Sequence, residues 1–262
     1  MGIGSKRPVL GGGKMWMKVP DTITEVLWEA SLEPTDQDAV DRLRREWAAL
    51  GVTRDARGAV RSLPAVTIGH PEVWALPEVY PPHRMPAMLR GKLDENDFYL
   101  VRLACSFRTR RKRVEVEWAR FLVRFLPDNA RRLPTAFDLH PLRVTQEVRR
   151  NVRVTIGPSL KFQEVNVGVG EIAFGIEYSE LQPIISAAGV GESEPSWDYE
   201  EARGTMVQGA KHMHLLLKVP KGMDTVRATL DLVADVSVYG SRLSAVFPST
   251  EEVRRHLTVR LV

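Results

Sequence analysis

From Phe98 onward, apolar residues recur mostly at every second position, as they do in half-buried β-strands. Tyr99, Val101, Leu103, Cys105 and Phe107 share one parity, and Arg102, Ser106 and Arg108 take the other. After a basic run, Val114, Val116 and Trp118 alternate with Glu115 and Glu117. The phase then slips near Ala119 and continues through Phe121, Val123 and Phe125. A one-residue slip inside a strand predicts a β-bulge. The simplest arrangement of these two strands is a hairpin whose tip is the basic run.

Residues 131–141, with Pro134 and Pro141, read as a loop. A second ribbon follows on Val144, Val148, Val152, Val154 and Ile156. Val165, Val167 and Val169 then give way to Ile172, Phe174, Ile176 and Tyr178, with a phase change at Gly170. Glycine there predicts a bulge or a tight hairpin. Ser179–Ala188 reads as one or two helical turns. His212–Val219 is a strand, and Val226–Val238 shows the cleanest alternation in the chain. These two predict a second hairpin around Pro220–Asp224. Leu243–Phe247 and Leu257–Val262 supply edge strands, with a short helical turn at Glu251–His256 between them.

Upstream, Val40, Leu43, Trp47 and Leu50 recur at helical spacing, and Gly51 stops the run. Thr35 is the expected cap. Asp21–Trp28 reads as a first strand, and Trp16 and Met17 as a short edge segment. Prolines crowd residues 52–93, where short strands such as Ala65–Ile68 fit and where Trp74, Tyr80 and Met85 can hold a wrapping segment to a sheet. The expected fold is mainly β: an antiparallel β-sandwich, with a barrel as the alternative, one N-terminal helix and a proline-rich external segment. The expected organisation is a flexible lead over 1–19, a helix and wrapping segment over 20–97, and the main antiparallel β domain over 98–262.

Composition changes this picture in one respect. The chain of 262 residues carries a formal net charge of +4. The surplus sits in Phe98–Leu160, with 14 basic and 5 acidic residues, against 10 and 14 in Lys161–Val262. A single cysteine, Cys105, excludes an internal disulfide, and with no helical span long enough for a bilayer the expected compartment is cytoplasmic.

Recognisable catalytic chemistry is absent from the sequence. Gly11-Gly12-Gly13-Lys14 lacks the spacing of a phosphate-binding loop, and Gly168-x-Gly170 precedes more strand rather than a helix. His212 and His214 share a strand face, and Asp231 or Asp235 on the next strand is the nearest third ligand for a metal. The plainer reading, two polar residues on a solvated face, is preferred, and no metal or cofactor is expected. Asp231 with Asp235, and Glu115 with Glu117, read as solubilising charge rather than as catalytic pairs. A hydrolase with an unrecognised site remains open.

Arg108, Arg110, Arg111, Lys112 and Arg113 form the most specific feature, and Arg149, Arg150 and Arg153 extend it if their strand lies nearby. The expected function is a non-catalytic structural or interaction subunit. It would dock this basic hairpin on an acidic protein surface or on another copy of itself. Nucleic-acid binding through the same residues is the competing reading. A membrane-inserting hairpin over Val165–Tyr178 is a further alternative, since alternation rich in glycine suits a pore-forming strand.

Overall fold

The computed structural model describes residues 25–52, 55–80, 85–126, 133–146, 152–155, 184–201 and 207–262. The lead with Trp16 and Met17, the residues before Glu25 in the first expected strand, and the alternating stretch Val165–Tyr178 lie outside them.

Two antiparallel sheets pack face to face, and the described strands form no closed barrel. The six-stranded sheet has the order β1 (Val26–Ser31), β3 (Ala65–Gly69), β5 (Asn96–Arg108), β12 (Gly209–Pro220) and β7 (Thr135–His140). Its remaining strand, β4 (Glu72–Ala75), pairs with β5 beside β3. The nine-stranded sheet runs β2 (Glu33–Pro34), β14 (Ser241–Val246), β13 (Arg227–Val238), β6 (Val114–Leu126), β11 (Ser196–Glu200), β10 (Ile184–Ala188), β8 (Arg143–Gln146) and β9 (Val152–Thr155). Its ninth strand, β15 (Thr258–Arg260), pairs with β13.

The alternating sets define the interior. Val101, Leu103, Cys105 and Phe107 of β5 and Met213, Leu215, Leu217 and Val219 of β12 face inward. Opposite them stand Val116, Ala119, Phe121, Val123 and Phe125 of β6 and the even positions Ala228–Val238 of β13. The phase slip in β6 is a bulge at Glu117: Asp235 pairs with Trp118, whereas Val236 pairs with Val116. The extra residue turns the following apolar set back to the core.

Helix α1 (Gln37–Ala49) closes one side of the interior with Val40, Leu43 and Trp47, and the Trp47 indole N–H donates to Ser241 Oγ at 3.2 Å. Its cap is Asp36, not Thr35: the Asp36 carboxylate accepts from the Ala39 N–H at 2.6 Å. Gly51, at φ +68, ends the run. The short helices α2 (Ala56–Val60), α3 (Leu76–Val79), α4 (Ala87–Arg90) and α5 (Glu251–His256) lie in the connections.

Four further expectations are corrected. β5 and β6 are not a hairpin. β5 pairs with β3, β4 and β12, and β6 with β11 and β13, so the basic run crosses from one sheet to the other. Likewise β12 and β13 lie in different sheets. Alternation dictates which side chains are buried but not which strand is the partner, and a short link can span the roughly 10 Å between packed sheets as readily as it can reverse a strand. Residues 135–140 form strand β7 although prolines flank them, because Pro134 and Pro141 fall just outside the paired backbone. Residues 184–188 form β10, paired to β11 and β8, rather than helical turns.

Two predictions test this packing. Gly189 and Gly191, in the β10–β11 turn, have φ of +94 and +85. A Cβ at Gly189 would lie 2.8 Å from Pro195 Cα, whereas at Gly191 it meets nothing within 4 Å. In thermal or urea unfolding, Gly191→Ala is expected to lose about 1–2 kcal/mol from left-handed strain alone, and Gly189→Ala clearly more. Cys105 is 1% exposed, and burial pushes its thiol pKa up to about 12. Ellman's reagent should therefore leave the folded protein unmodified at pH 8 and titrate one thiol in guanidinium; rapid native labelling would contradict the packing.

Candidate functional site, a buried polar row on the outer face

The six-stranded sheet has a second buried surface. Phe98 and Leu100 of β5 and Leu216 of β12 point away from the main core, at positions of the opposite parity. They are covered by Leu76, Val79, Tyr80, Met85 and Leu89 from the proline-rich segment, and Phe98 meets Phe137 edge to face at 5.3 Å. Residues 76–80 and 85–93 thus cover this face through a small apolar cluster of their own.

Polar residues border that cluster in a single row. Glu72 of β4 stands opposite Arg102 of β5, Arg102 opposite His214 of β12, and His214 opposite His140 of β7. Directly opposite residues in antiparallel strands project to one face within about 5.5 Å. The Arg102 Nε–H donates to the Glu72 carboxylate in a largely buried ion pair. The same guanidinium lies 5.6 Å from the centre of the Trp74 ring. The His140 and His214 rings are 6.1 Å apart, and Nδ1 of each is shielded from solvent. Asp138, two positions before His140, is 1% exposed, and its Oδ1 accepts from the Leu139 N–H at 2.9 Å.

This environment opposes charge on the imidazoles. Burial brings the His140 pKa down to about 4. Burial brings His214 down to about 3, and His140, Arg102 and His212 add repulsion. At neutral pH the row therefore holds one ion pair and two uncharged rings beside the apolar cluster. As for metal binding, His212 is exposed while His214 is buried, and the expected third ligands Asp231 and Asp235 belong to β13 in the other sheet. Among the described residues no group of three His, Cys, Asp or Glu side chains converges. His214 is thus not part of a solvated face. His140, its partner, was hidden in a stretch read as loop.

The basic run spans the end of β5 and the link between the two sheets. Arg108 forms an ion pair with Glu29 of β1 and donates to Thr67 Oγ1 at 3.2 Å. Arg110, Arg111, Lys112 and Arg113 are exposed in the link between the sheets. Arg113 takes φ 69, and its carbonyl accepts from the Tyr239 N–H at 2.7 Å. Arg149 and Arg150 lie outside the described residues; Arg153 falls on β9, and its side chain is not described.

No family model matches the chain. No curated protein matches it. Solved structures do. The membrane-inserted form of the NetB toxin of Clostridium perfringens superimposes with a TM-score of 0.32 at 10% identity, over 71% of this chain and 87% of that one. A pore-forming protein gives 0.34 at 9% identity, over 72% and 82%. The delta-toxin of Clostridium perfringens gives 0.34 at 10%, over 72% and 82%. These superpositions are looser than a shared fold requires. The expectation of a docking subunit working through a basic hairpin is corrected. The hairpin does not exist, since its two strands part into separate sheets.

Proposed function

We propose that the chain acts on membranes, with residues 162–179 entering the bilayer as a β-hairpin and several copies together closing a barrel. The observation that carries this reading is the order of residues about Gly170-Glu171. Let these two be the turn, with glycine at its first position as a type II′ turn demands. Val169 then falls opposite Ile172, Val167 opposite Phe174, Val165 opposite Ile176 and Gln163 opposite Tyr178. On the other face Gly168 falls opposite Ala173, Asn166 opposite Gly175 and Glu164 opposite Glu177.

Opposite residues share a face, so a two-residue turn forces the apolar set to change parity from one strand to the next. The phase change at Gly170 is what such a turn requires. Apart from Gln163, one face becomes aliphatic and aromatic; the other carries glycine, alanine, Asn166, Glu164 and Glu177, which suits lipid outside and water inside. With one or two flanking residues, each strand reaches the roughly 9–11 residues that cross a bilayer. Lipid satisfies no backbone hydrogen bonds, so two strands cannot remain there alone. The smallest barrels have about eight strands, which calls for at least about four copies.

The described strands are compatible with such a departure. Thr155, the last residue of β9, stands opposite Arg143 of β8, and Ile185 of β10 stands opposite Val144. Thr155 and Ile185 therefore flank β8 at neighbouring rungs, about 10 Å apart across it. Among the described residues no helix is long and apolar enough to cross a membrane.

Vesicles of phosphatidylcholine and phosphatidylglycerol loaded with a self-quenching dye provide the test. Leakage should rise steeply with protein concentration. Val167→Arg should suppress it at least about tenfold, because a cation on the lipid face near mid-bilayer costs about 2–4 kcal/mol per copy, while the circular dichroism stays unchanged. Single cysteines placed from 163 to 178 in a Cys105→Ala background, labelled with a polarity-sensitive dye, should alternate between lipid and water and change phase at 170. Leakage indifferent to Val167→Arg, or no alternation, would refute the reading.

A further inference from the structure

We infer that the link between the two sheets, Arg110–Arg113, binds the phosphate groups of anionic lipids, so that the chain meets a membrane with this end of the sandwich. The inference rests on the membrane reading above and gives that reading a lipid class and a side of approach. Arg110, Arg111, Lys112 and Arg113 are all exposed, and among the described residues none of their side chains is in an ion pair. Their neighbour Arg108, by contrast, is paired with Glu29.

The backbone beneath these side chains is held at two points. The Arg111 carbonyl accepts from the Val114 N–H at 3.2 Å, and the Arg113 carbonyl accepts from the Tyr239 N–H at 2.7 Å. The second bond ties the link to the turn between β13 and β14. The result is a fixed patch of positive charge with no carboxylate of its own. An arginine fork can take two phosphate oxygens at once. An anionic membrane surface attracts every cation brought close to it.

The rest of this end favours a bilayer over a polar partner. Val114 stands opposite Val238, Trp118 opposite Glu200, and Glu200 opposite Ile184. β10 therefore begins toward the end of the nine-stranded sheet that carries the link. It is the first described strand after residues 162–179, the segment assigned to the bilayer above. Helix α1 ends here too. Trp47 packs against Tyr239 with ring centres 5.9 Å apart, and Leu50, one turn further on, is 67% exposed. An apolar side chain beside cations suits the boundary between headgroups and acyl chains. Acidic residues of the adjoining elements, Glu46 on α1 and Glu115 and Glu117 on β6, lie further back along them.

Sedimentation of the full chain with vesicles measures this contact apart from insertion. Vesicles of phosphatidylcholine alone are compared with vesicles that also contain phosphatidylglycerol. The wild type should prefer the anionic vesicles, and the preference should fall as salt is raised. Each cation near the surface contributes about fivefold, so Arg110→Gln/Arg111→Gln/Lys112→Gln should bind them roughly a hundredfold more weakly, with unchanged circular dichroism. If that variant does not fold, Lys112→Gln, losing about fivefold, replaces it. Arg42→Gln/Arg45→Gln/Arg254→Gln removes the same charge from exposed sites elsewhere and should bind nearly as the wild type does. Equal binding to both vesicles, no binding to either, or equal losses in the two triple variants overturns the inference. So does capture of random duplex DNA by the link without capture of vesicles. Dye leakage separates the two readings. Binding through the link with no leakage keeps the link's role and removes insertion. Leakage from both vesicles alike, undiminished in the link variant, keeps insertion and removes the link's role.

Discussion

Val101, Leu103 and Phe107 from one sheet and Val116, Phe121 and Val123 from the other fill a single interior between them, each less than 2% exposed. Burying a side chain of this size is worth about 1.5–3 kcal/mol, so the sum over both sheets outweighs any surface ion pair. This shared burial is the constraint from which the other features follow. It needs only one parity of each strand. The other parity is left free, and the two sheets use that freedom differently.

On the nine-stranded sheet the outer face is tied by exposed charge: Arg120 donates twice to Asp198, at 2.6 and 2.8 Å, and Arg124 to Glu194 at 2.8 Å. Such pairs add little stability and are screened by salt. On the six-stranded sheet the outer face is covered instead, and cover changes the physics of whatever polar group lies beneath it. Arg102 needs Glu72 because an unpaired buried cation is prohibitively costly. The imidazoles have another way out, which is to give up the proton. That is why burial holds both His140 and His214 below the ordinary imidazole range.

Much of the strand content was legible. β12, β13, β14 and α5 fall within a few residues of where alternation and capping put them, and the slip in β6 is a bulge at Glu117. The reason is that inward side chains of a two-layer fold must alternate, and the signal is local. Partner choice was not legible, because it is decided by contacts far apart in sequence. β5 and β6 look like a hairpin, and so do β12 and β13, yet each pair is divided between the sheets. The polar row was hidden for the same reason. Glu72, Arg102, His140 and His214 come from four strands, and only their registers put them in line. His214 was noticed for its neighbour His212, which turns out to be exposed.

The edge of the nine-stranded sheet shows where such a molecule can change without losing its core. β8 and β9 pair over four rungs, Arg143↔Thr155 to Gln146↔Val152, and β10 joins β8 over two. A two-stranded ribbon is marginal in water unless a hydrophobic face is packed against it. β6 and β13, by contrast, pair from Val114↔Val238 to Leu126↔Arg227 and line the shared interior throughout. Strand exchange at the far edge therefore forfeits a few hydrogen bonds that a new partner can replace. Exchange in the middle would expose the whole core. β9 and β10, the described strands on either side of residues 156–183 in the sequence, both belong to that end of the sheet, where re-pairing costs least.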